Sequence, residues 1–338
     1  MSAIPQQQDR DRWLAERRSG IGGTDISALL GLNPWKTPLD VWLDKTGRAS
    51  DETGNEEAMY WGTVLEDAVA RRYSELTGRR VQRVNRTLRL PDSVALANID
   101  RAVINPEIMK QVRVREDGHT LTTDRILEVK TAHALARHRS DEWGEPGTDQ
   151  VPEHYWLQVQ WYLGITGAEA GDLAVLFGGQ QMVIYTIPSD PALFAEMLDE
   201  AEQWWARHVV ADTPPEPVTA DEARRLWRRH TPGKTVAVDV TVARAVADLA
   251  RIRQEIKDLE AIAKEREADV LRAFGDAEAI EYQGRRLATW KQNKPTRRTD
   301  WKALAEFLGA RPEYIEKFTE EKPGARVLRL NRKEIEHV

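Results

Sequence analysis

Three prolines packed into ADTPPEPVTA, residues 211–220, split the chain into two parts that follow different patterns. Each proline removes a backbone donor and restricts the residue before it, so neither a helix nor a central strand runs through this stretch. Upstream, short apolar segments alternate between strand-like and helix-like periods, whereas downstream a single long helical stripe dominates. The break predicts two domains, 1–212 and 213–338, a division that 338 residues readily allow.

The upstream part reads as mixed α/β. A helix is expected from Trp61 to Leu76, ended by Gly78, with Leu65, Val69, Tyr73 and Leu76 on one stripe. VALANIDRAVI (94–104) and ILEVKT (126–131) read as strands, and EHYWLQVQWYLG (153–164) as a helix stopped by its glycine. SDEWGEPGTDQVP (140–152) reads as a loop, DLAVLF and MVIYTI as a hairpin around GGQQ, and 191–209 as an amphipathic helix. Downstream, Val242, Val246, Leu249, Ile252, Ile256, Leu259 and Ala263 mark a long coiled-coil-like helix reaching about Phe274 and ended by Gly275. A hairpin around Gly284 and a short helix with Asp300 near its N-cap follow.

Composition removes several chemistries. With no cysteine there is no disulfide scaffold, thiolate zinc site or thiol nucleophile, which fits a reducing cytoplasm, bacterial or phage-infected. No apolar run is long enough for a membrane span, and MSAIPQQQDRDRW lacks the apolar core of a secretory signal. The seven histidines show no metal-ligand spacing, and the twelve tryptophans read as packing residues. Charge is uneven: 23 Lys+Arg against 34 Asp+Glu up to residue 220, and 26 against 21 beyond it. The segment GRRLATWKQNKPTRR (284–298) has six basic residues and no acid, so Arg285, Arg286, Trp290 and Lys291 could touch a nucleic-acid backbone; a solvated hairpin explains it equally well.

The informative triplet is Glu128-Val129-Lys130. On a strand, Ile126, Glu128 and Lys130 share one face while Leu127 and Val129 share the other. A carboxylate and an ammonium projecting together from an apolar strand are costly unless a metal or substrate completes them, although a cross-strand ion pair would also serve. Two further acids stand out. Asp100 closes the apolar run ALANI, and Glu66 lies in line with Val69 and Tyr73 on the helical stripe. Acids spread over helix and strands suit a hard cation such as Mg²⁺.

Taken together, RRSGIGGTDISALLGLNPW (17–35), WGTVLEDAVARRY (61–73), NID (98–100), LEVKT (127–131) and QVQWYLGITG (158–167) resemble the YqaJ-like viral recombinases, the family of the phage lambda exonuclease within the PD-(D/E)XK nucleases. The resemblance covers about residues 10–210. It implies a restriction-endonuclease-like core, a central mixed sheet flanked by helices, with a mainly helical C-terminal extension.

The same resemblance implies a site. Glu66 corresponds to the helical acid of the metal water shell, and Asp100 and Glu128 to the metal carboxylates, with the Val129 carbonyl a further ligand. Lys130 corresponds to the group that orients or deprotonates the attacking water, and Gln158, one turn before Tyr162, to a glutamine near the site, with Gln160 facing elsewhere. Arg17 and Thr24 fall where the lambda enzyme has an arginine and a serine on the substrate 5′-phosphate, beside glycines 20, 22 and 23, which would let backbone amides approach it. The pattern departs at Ile99-Asp100-Arg101, where the family commonly has P-D-G, and at an inserted hairpin, 104–124, whose Asp124 is a weaker substitute for Asp100.

The implied activity is a Mg²⁺-dependent DNA exonuclease, Mn²⁺ serving as a substitute. It would digest double-stranded DNA ends 5′ to 3′ and leave 3′ single strands for a single-strand annealing protein of the RecT or Red-beta type, as a homo-oligomeric ring. The alternatives are another PD-(D/E)XK nuclease, such as a junction resolvase or RecB-like domain, and a non-catalytic DNA-binding scaffold.

Overall fold

The computed structural model describes residues 15–49, 56–295, 300–309 and 311–317. They form two compact units, one running to Ala223 and the other starting at Arg224. Among the described residues no helix is long and apolar enough to cross a membrane.

The first unit opens with α1 (Gly23–Leu29) and α2 (Pro38–Lys45), followed by the long α3 (Glu56–Thr77). Thr37 caps α2 by accepting the Asp40 amide, and Pro38 sits at the first helical position, where no donor is lost. Helix α3 starts ahead of the expected Trp61 and buries Val69 and Tyr73, but Leu76 is exposed, because the stripe meets the sheet only along its middle. Short strands β1 (Arg80–Gln82), β2 (Leu88–Arg89) and β3 (Leu96–Ala97) lead to β4 (Arg101–Ile104) and β5 (Arg125–Ala132). The expected strand 94–104 is therefore two strands in two sheets. It breaks at Asn98-Ile99-Asp100, and β3 pairs with β2 while β4 joins the main sheet. The inserted segment does fold back on itself, with Val114 opposite Leu121.

A short helix, α4 (Ala136–Arg139), precedes α5 (Glu153–Thr166), the crossover to β6 (Ala170–Phe177). Strands β5 and β6 are parallel, which requires such a crossover, and α5 provides it. Gly164 does not stop α5. A side chain there would collide with the Phe194 ring, and the helix ends instead at Gly167, whose φ of 70° favours glycine. Strand β7 (Gln181–Pro188) completes the hairpin, and α6 (Pro191–Trp204) follows, its end loosened into a π-helical stretch, Trp205–Val210.

The main sheet has the order β1-β4-β5-β6-β7, mixed in direction and flanked by helices, as the family resemblance implied. Leu127 and Val129 pack with Val69, Ala70, Tyr73, Val103 and Ala174, so this face of β5 meets α3. Each valine or leucine among them contributes roughly 1.5–3 kcal/mol on burial. The opposite face meets α5, whose Val159 and Leu163 close over Gly171 beside Ile126.

A short helix, α7 (Ala220–Leu226), follows the proline-rich stretch. The second unit consists mainly of α8 (Val240–Phe274), capped by Asp239 accepting the Val242 amide and ended by Gly275. The hairpin of β8 (Ala279–Tyr282) and β9 (Arg285–Thr289) follows, then α9 (Trp301–Phe307) and α10 (Pro312–Lys317). Asp300 accepts the Ala303 amide at 3.0 Å, the expected cap.

Candidate active site

The parallel β5–α5–β6 unit brings the site residues together. Glu128, 3% exposed, points from β5 toward α5. Its Oε1 accepts from Lys130 Nζ at 2.7 Å and from Gln158 Nε2 at 2.6 Å. Gln158 also donates to the Tyr162 hydroxyl at 3.2 Å. Gln160 faces elsewhere, donating to the Pro188 carbonyl and accepting the Asp190 amide.

Asp100 enters from the other side. Strand β4 begins at Arg101, opposite Leu127, so the Val129 amide lacks a strand partner there, and Asp100 Oδ2 accepts it at 2.8 Å. Burial and the nearby Glu128 push the Asp100 carboxyl up to about 8. Burial likewise raises Glu128, against the pull of Lys130. Burial disfavours the Lys130 ammonium, but Glu128 and Asp100 outweigh it and keep the group protonated.

Glu66 lies near enough to both carboxyls to raise them further, yet its Oε1 is engaged by arginines. Arg101 NH1 donates to Glu66 Oε1, and Arg101 NH2 to Asp67 Oδ1 at 2.5 Å. Arg83 approaches the same pair. Arg101, the residue that departs from the family pattern, is thus a buried cation between two acids of α3. Asp124 accepts from Asn105 Nδ2 at the far end of β5, away from the carboxylate pair.

Among the described residues no group of three His, Asp or Glu side chains is arranged to hold a metal ion. Two carboxylates and a carbonyl nevertheless fit Mg²⁺, which is held through few protein oxygens and keeps its waters. Glu128 Oε2 is buried without a hydrogen-bond partner, as an oxygen reserved for a cation would be.

The Arg17 segment reaches the same region. Asp25 is buried between Lys36 (2.7 Å) and Lys45 (2.6 Å), and Lys45 Nζ donates to the Arg17 carbonyl at 2.9 Å. Burial opposes the Asp25 charge, but Lys36, Lys45 and Arg17 hold its carboxyl well below the usual range. Thr24 is exposed at the start of α1. The neighbouring glycines have packing reasons. A Cβ on Gly20 would lie 2.3 Å from the Val94 carbonyl and one on Gly23 2.6 Å from the Tyr162 ring, while the Gly22 amide is taken by Asp25.

The basic hairpin of the second unit is partly self-neutralised. Lys291 pairs with Glu278 at 2.5 Å, Arg286 approaches Glu281, and Trp290 packs on Phe274, while Arg285 is exposed. Residues 296–298 of that segment lie outside the described residues.

Residue-by-residue reading missed Asp172, which is fully buried on β6 and takes Tyr73, Arg79, Arg125 and Thr186 as donors. It also missed the Tyr155 ring, 5.6 Å from Lys130 Nζ. The expectation that tryptophans are packing residues holds for Trp42, Trp161 and Trp204 but fails for Trp35, Trp61, Trp227, Trp290 and Trp301, which are exposed.

Residues 12–169 match the YqaJ-like viral recombinase domain. The protein YqaJ of Bacillus subtilis (strain 168) is 34% identical over 323 residues, covering 93% of this chain and 92% of that one. The chain belongs to the YqaJ-like viral recombinase family. Among solved structures, an alkaline exonuclease from Laribacter hongkongensis aligns with a TM-score of 0.46 at 19% identity, covering 60% of this chain and 94% of its own. A phage-related exonuclease from Haemophilus somnus 129PT aligns at 0.38 and 12% identity, covering 57% and 96%.

Proposed function

We propose that this recombinase-family protein is a Mg²⁺-dependent DNA exonuclease that degrades duplex ends 5′ to 3′ and leaves 3′ single strands for an annealing protein. The observation that carries the reading is the cluster of Glu128, Lys130 and Gln158 on one crossover unit, with Asp100 bound to the amide between the first two. Membership of a recombinase family and the likeness to proteins named exonucleases agree with it.

Asp100, Glu128 and the Val129 carbonyl would hold the ion. A divalent cation held there would supply Lewis acidity for activating water and stabilising the leaving oxygen. Gln158 and Lys130 both fix Glu128 Oε1, leaving Oε2 without a hydrogen-bond partner and available as the oxygen that would hold the ion. Lys130, held at Glu128 Oε1, would place its amine beside the attacking water and the phosphate, where as an ammonium it would stabilise the developing charge. Arg17 and Thr24 would receive the 5′-phosphate, with Lys45 and Asp25 fixing the backbone that carries them.

Linear duplexes labelled at the 5′ or the 3′ end, each with or without a 5′-phosphate, test the reading. Mg²⁺-dependent release of mononucleotides from phosphorylated 5′ ends is expected. Cleavage confined to branched DNA would favour a resolvase, and binding without cleavage would favour a scaffold.

A further inference from the structure

One exposed tryptophan stands beside the site. Trp35 is 67% exposed, yet its backbone is fixed. Asn33 Oδ1 accepts the amides of Trp35 and Lys36 at 2.9 and 3.0 Å, and Asn33 Nδ2 donates to Ser27 Oγ on α1 at 3.0 Å. A bulky aromatic held out on an anchored loop forgoes burial that the fold could otherwise use.

Its contacts lead to the reacting groups. The Trp35 ring meets His154 edge-on, with centroids 4.8 Å apart, and lies 6.3 Å from Tyr155. Tyr155 packs on His154 at 4.0 Å and on Trp143 at 5.9 Å, and its ring lies 5.6 Å from Lys130 Nζ. An aromatic surface therefore runs from the Lys130 ammonium, across the first turn of α5, to an open indole face.

That surface carries no charge at its outer end. Burial pushes His154 down to about 4, so its imidazole is neutral at physiological pH, and the Lys36 amine next to Trp35 is committed to Asp25 at 2.7 Å. A phosphate would find no free cation among these groups. A nucleobase, flat and apolar on its face, matches an open indole, and stacking of this kind tolerates any sequence.

We propose that Trp35, backed by His154 and Tyr155, is a stacking platform for one nucleobase of the strand whose backbone lies at Lys130. The proposal rests on the nuclease reading. It adds a contact that positions the strand through a base, independent of the metal and of the terminal phosphate.

The test uses the full chain and 5′-phosphorylated duplexes in which a single abasic residue is placed in turn at each of the first few nucleotides. Binding is read by fluorescence anisotropy and cutting by initial rates with Mg²⁺, for the wild type, Trp35→Ala and Trp35→Phe. For the wild type, one abasic position should weaken binding about tenfold. Trp35→Ala should weaken binding of intact DNA by a similar factor and lose the sensitivity at that position, while Trp35→Phe should keep most of both. Unchanged melting of the variants shows that the fold is retained. Equal binding of intact and abasic DNA by the wild type, or abasic sensitivity that survives in Trp35→Ala, would overturn the platform. A wild type that prefers intact DNA through Trp35 yet cuts nothing would support the platform and sink the nuclease reading.

Discussion

The amide of Val129 donates to the carboxylate of Asp100 at 2.8 Å, so an acid outside strand β5 is tied to the residue between Glu128 and Lys130. One main-chain bond thus sets the spacing of two carboxylates, one on β5 and one in the break just before β4. It exists because β4 starts at Arg101 and leaves that amide for a side chain.

Asp100→Asn preserves size and can still accept from Val129, but it cannot ionise to give the second carboxylate that a bound cation would need. The variant should stay folded and lose Mg²⁺ and Mn²⁺ affinity by at least about tenfold, as a coordinating carboxylate would imply. Titration calorimetry with either ion, beside a thermal melt, checks both halves of the statement.

The pH dependence has a definite sign. The Asp100 carboxyl sits at about 8, above its ordinary 3.8, so between those values the folded metal-free chain holds a proton that the unfolded chain has lost. Stability of the metal-free protein attributable to this group therefore falls as pH rises from about 4 to about 8. Cation binding runs the other way, since the ion must displace that proton, and affinity should climb with pH and level off above about 8. Mn²⁺ affinity measured from about pH 6 to about pH 9 would show this rise, and a flat profile would contradict it.

Asp172 is a structural counterpart of the site acids. It binds Tyr73 of α3, Arg79, Arg125 of β5 and Thr186 of β7. Asp172→Ala strips four donors of their shared acceptor and should cost on the order of 3 kcal/mol in urea unfolding. Metal affinity of the fraction that remains folded should not change.

Gly23 and Gly22 are adjacent but unequal. A methyl group at Gly23 would press on the Tyr162 ring at 2.6 Å and on Gln158 Cγ at 2.8 Å, whereas at Gly22 the nearest atom is 3.6 Å away. Gly23→Ala should destabilise by about 1–3 kcal/mol and also slow cleavage, because Gln158 holds Glu128. Gly22→Ala should be nearly silent in chemical denaturation.

What was legible in the sequence had a local cause. The alternation in ILEVKT assigned Glu128 and Lys130 to one face because strand periodicity is two, and the structure keeps that assignment, with Leu127 and Val129 in the core beside α3. Asp100 was visible as a charge ending an apolar run. The break at Asn98–Asp100 was not, because 94–104 is continuously strand-like and only the sheet order reveals two strands. Asp172 and Arg101 were opaque for a different reason. Their partners are scattered along the chain, from Glu66 and Asp67 to Thr186, and no local spacing links them. Gly164 looked like a stop because its true reason, the Phe194 ring, arrives from a later helix.

We propose Glu128 and Lys130, on one face of β5, as a phosphodiester-cleaving centre. Single-turnover digestion of a 5′-phosphorylated duplex with Mg²⁺, comparing the wild type with Lys130→Ala at matched DNA occupancy, tests it most directly. A fall of at least about a hundredfold in the cleavage step is expected, in the range lost when one charge-stabilising donor is removed, with DNA still bound. Cleavage by Lys130→Ala at the wild-type rate would contradict it.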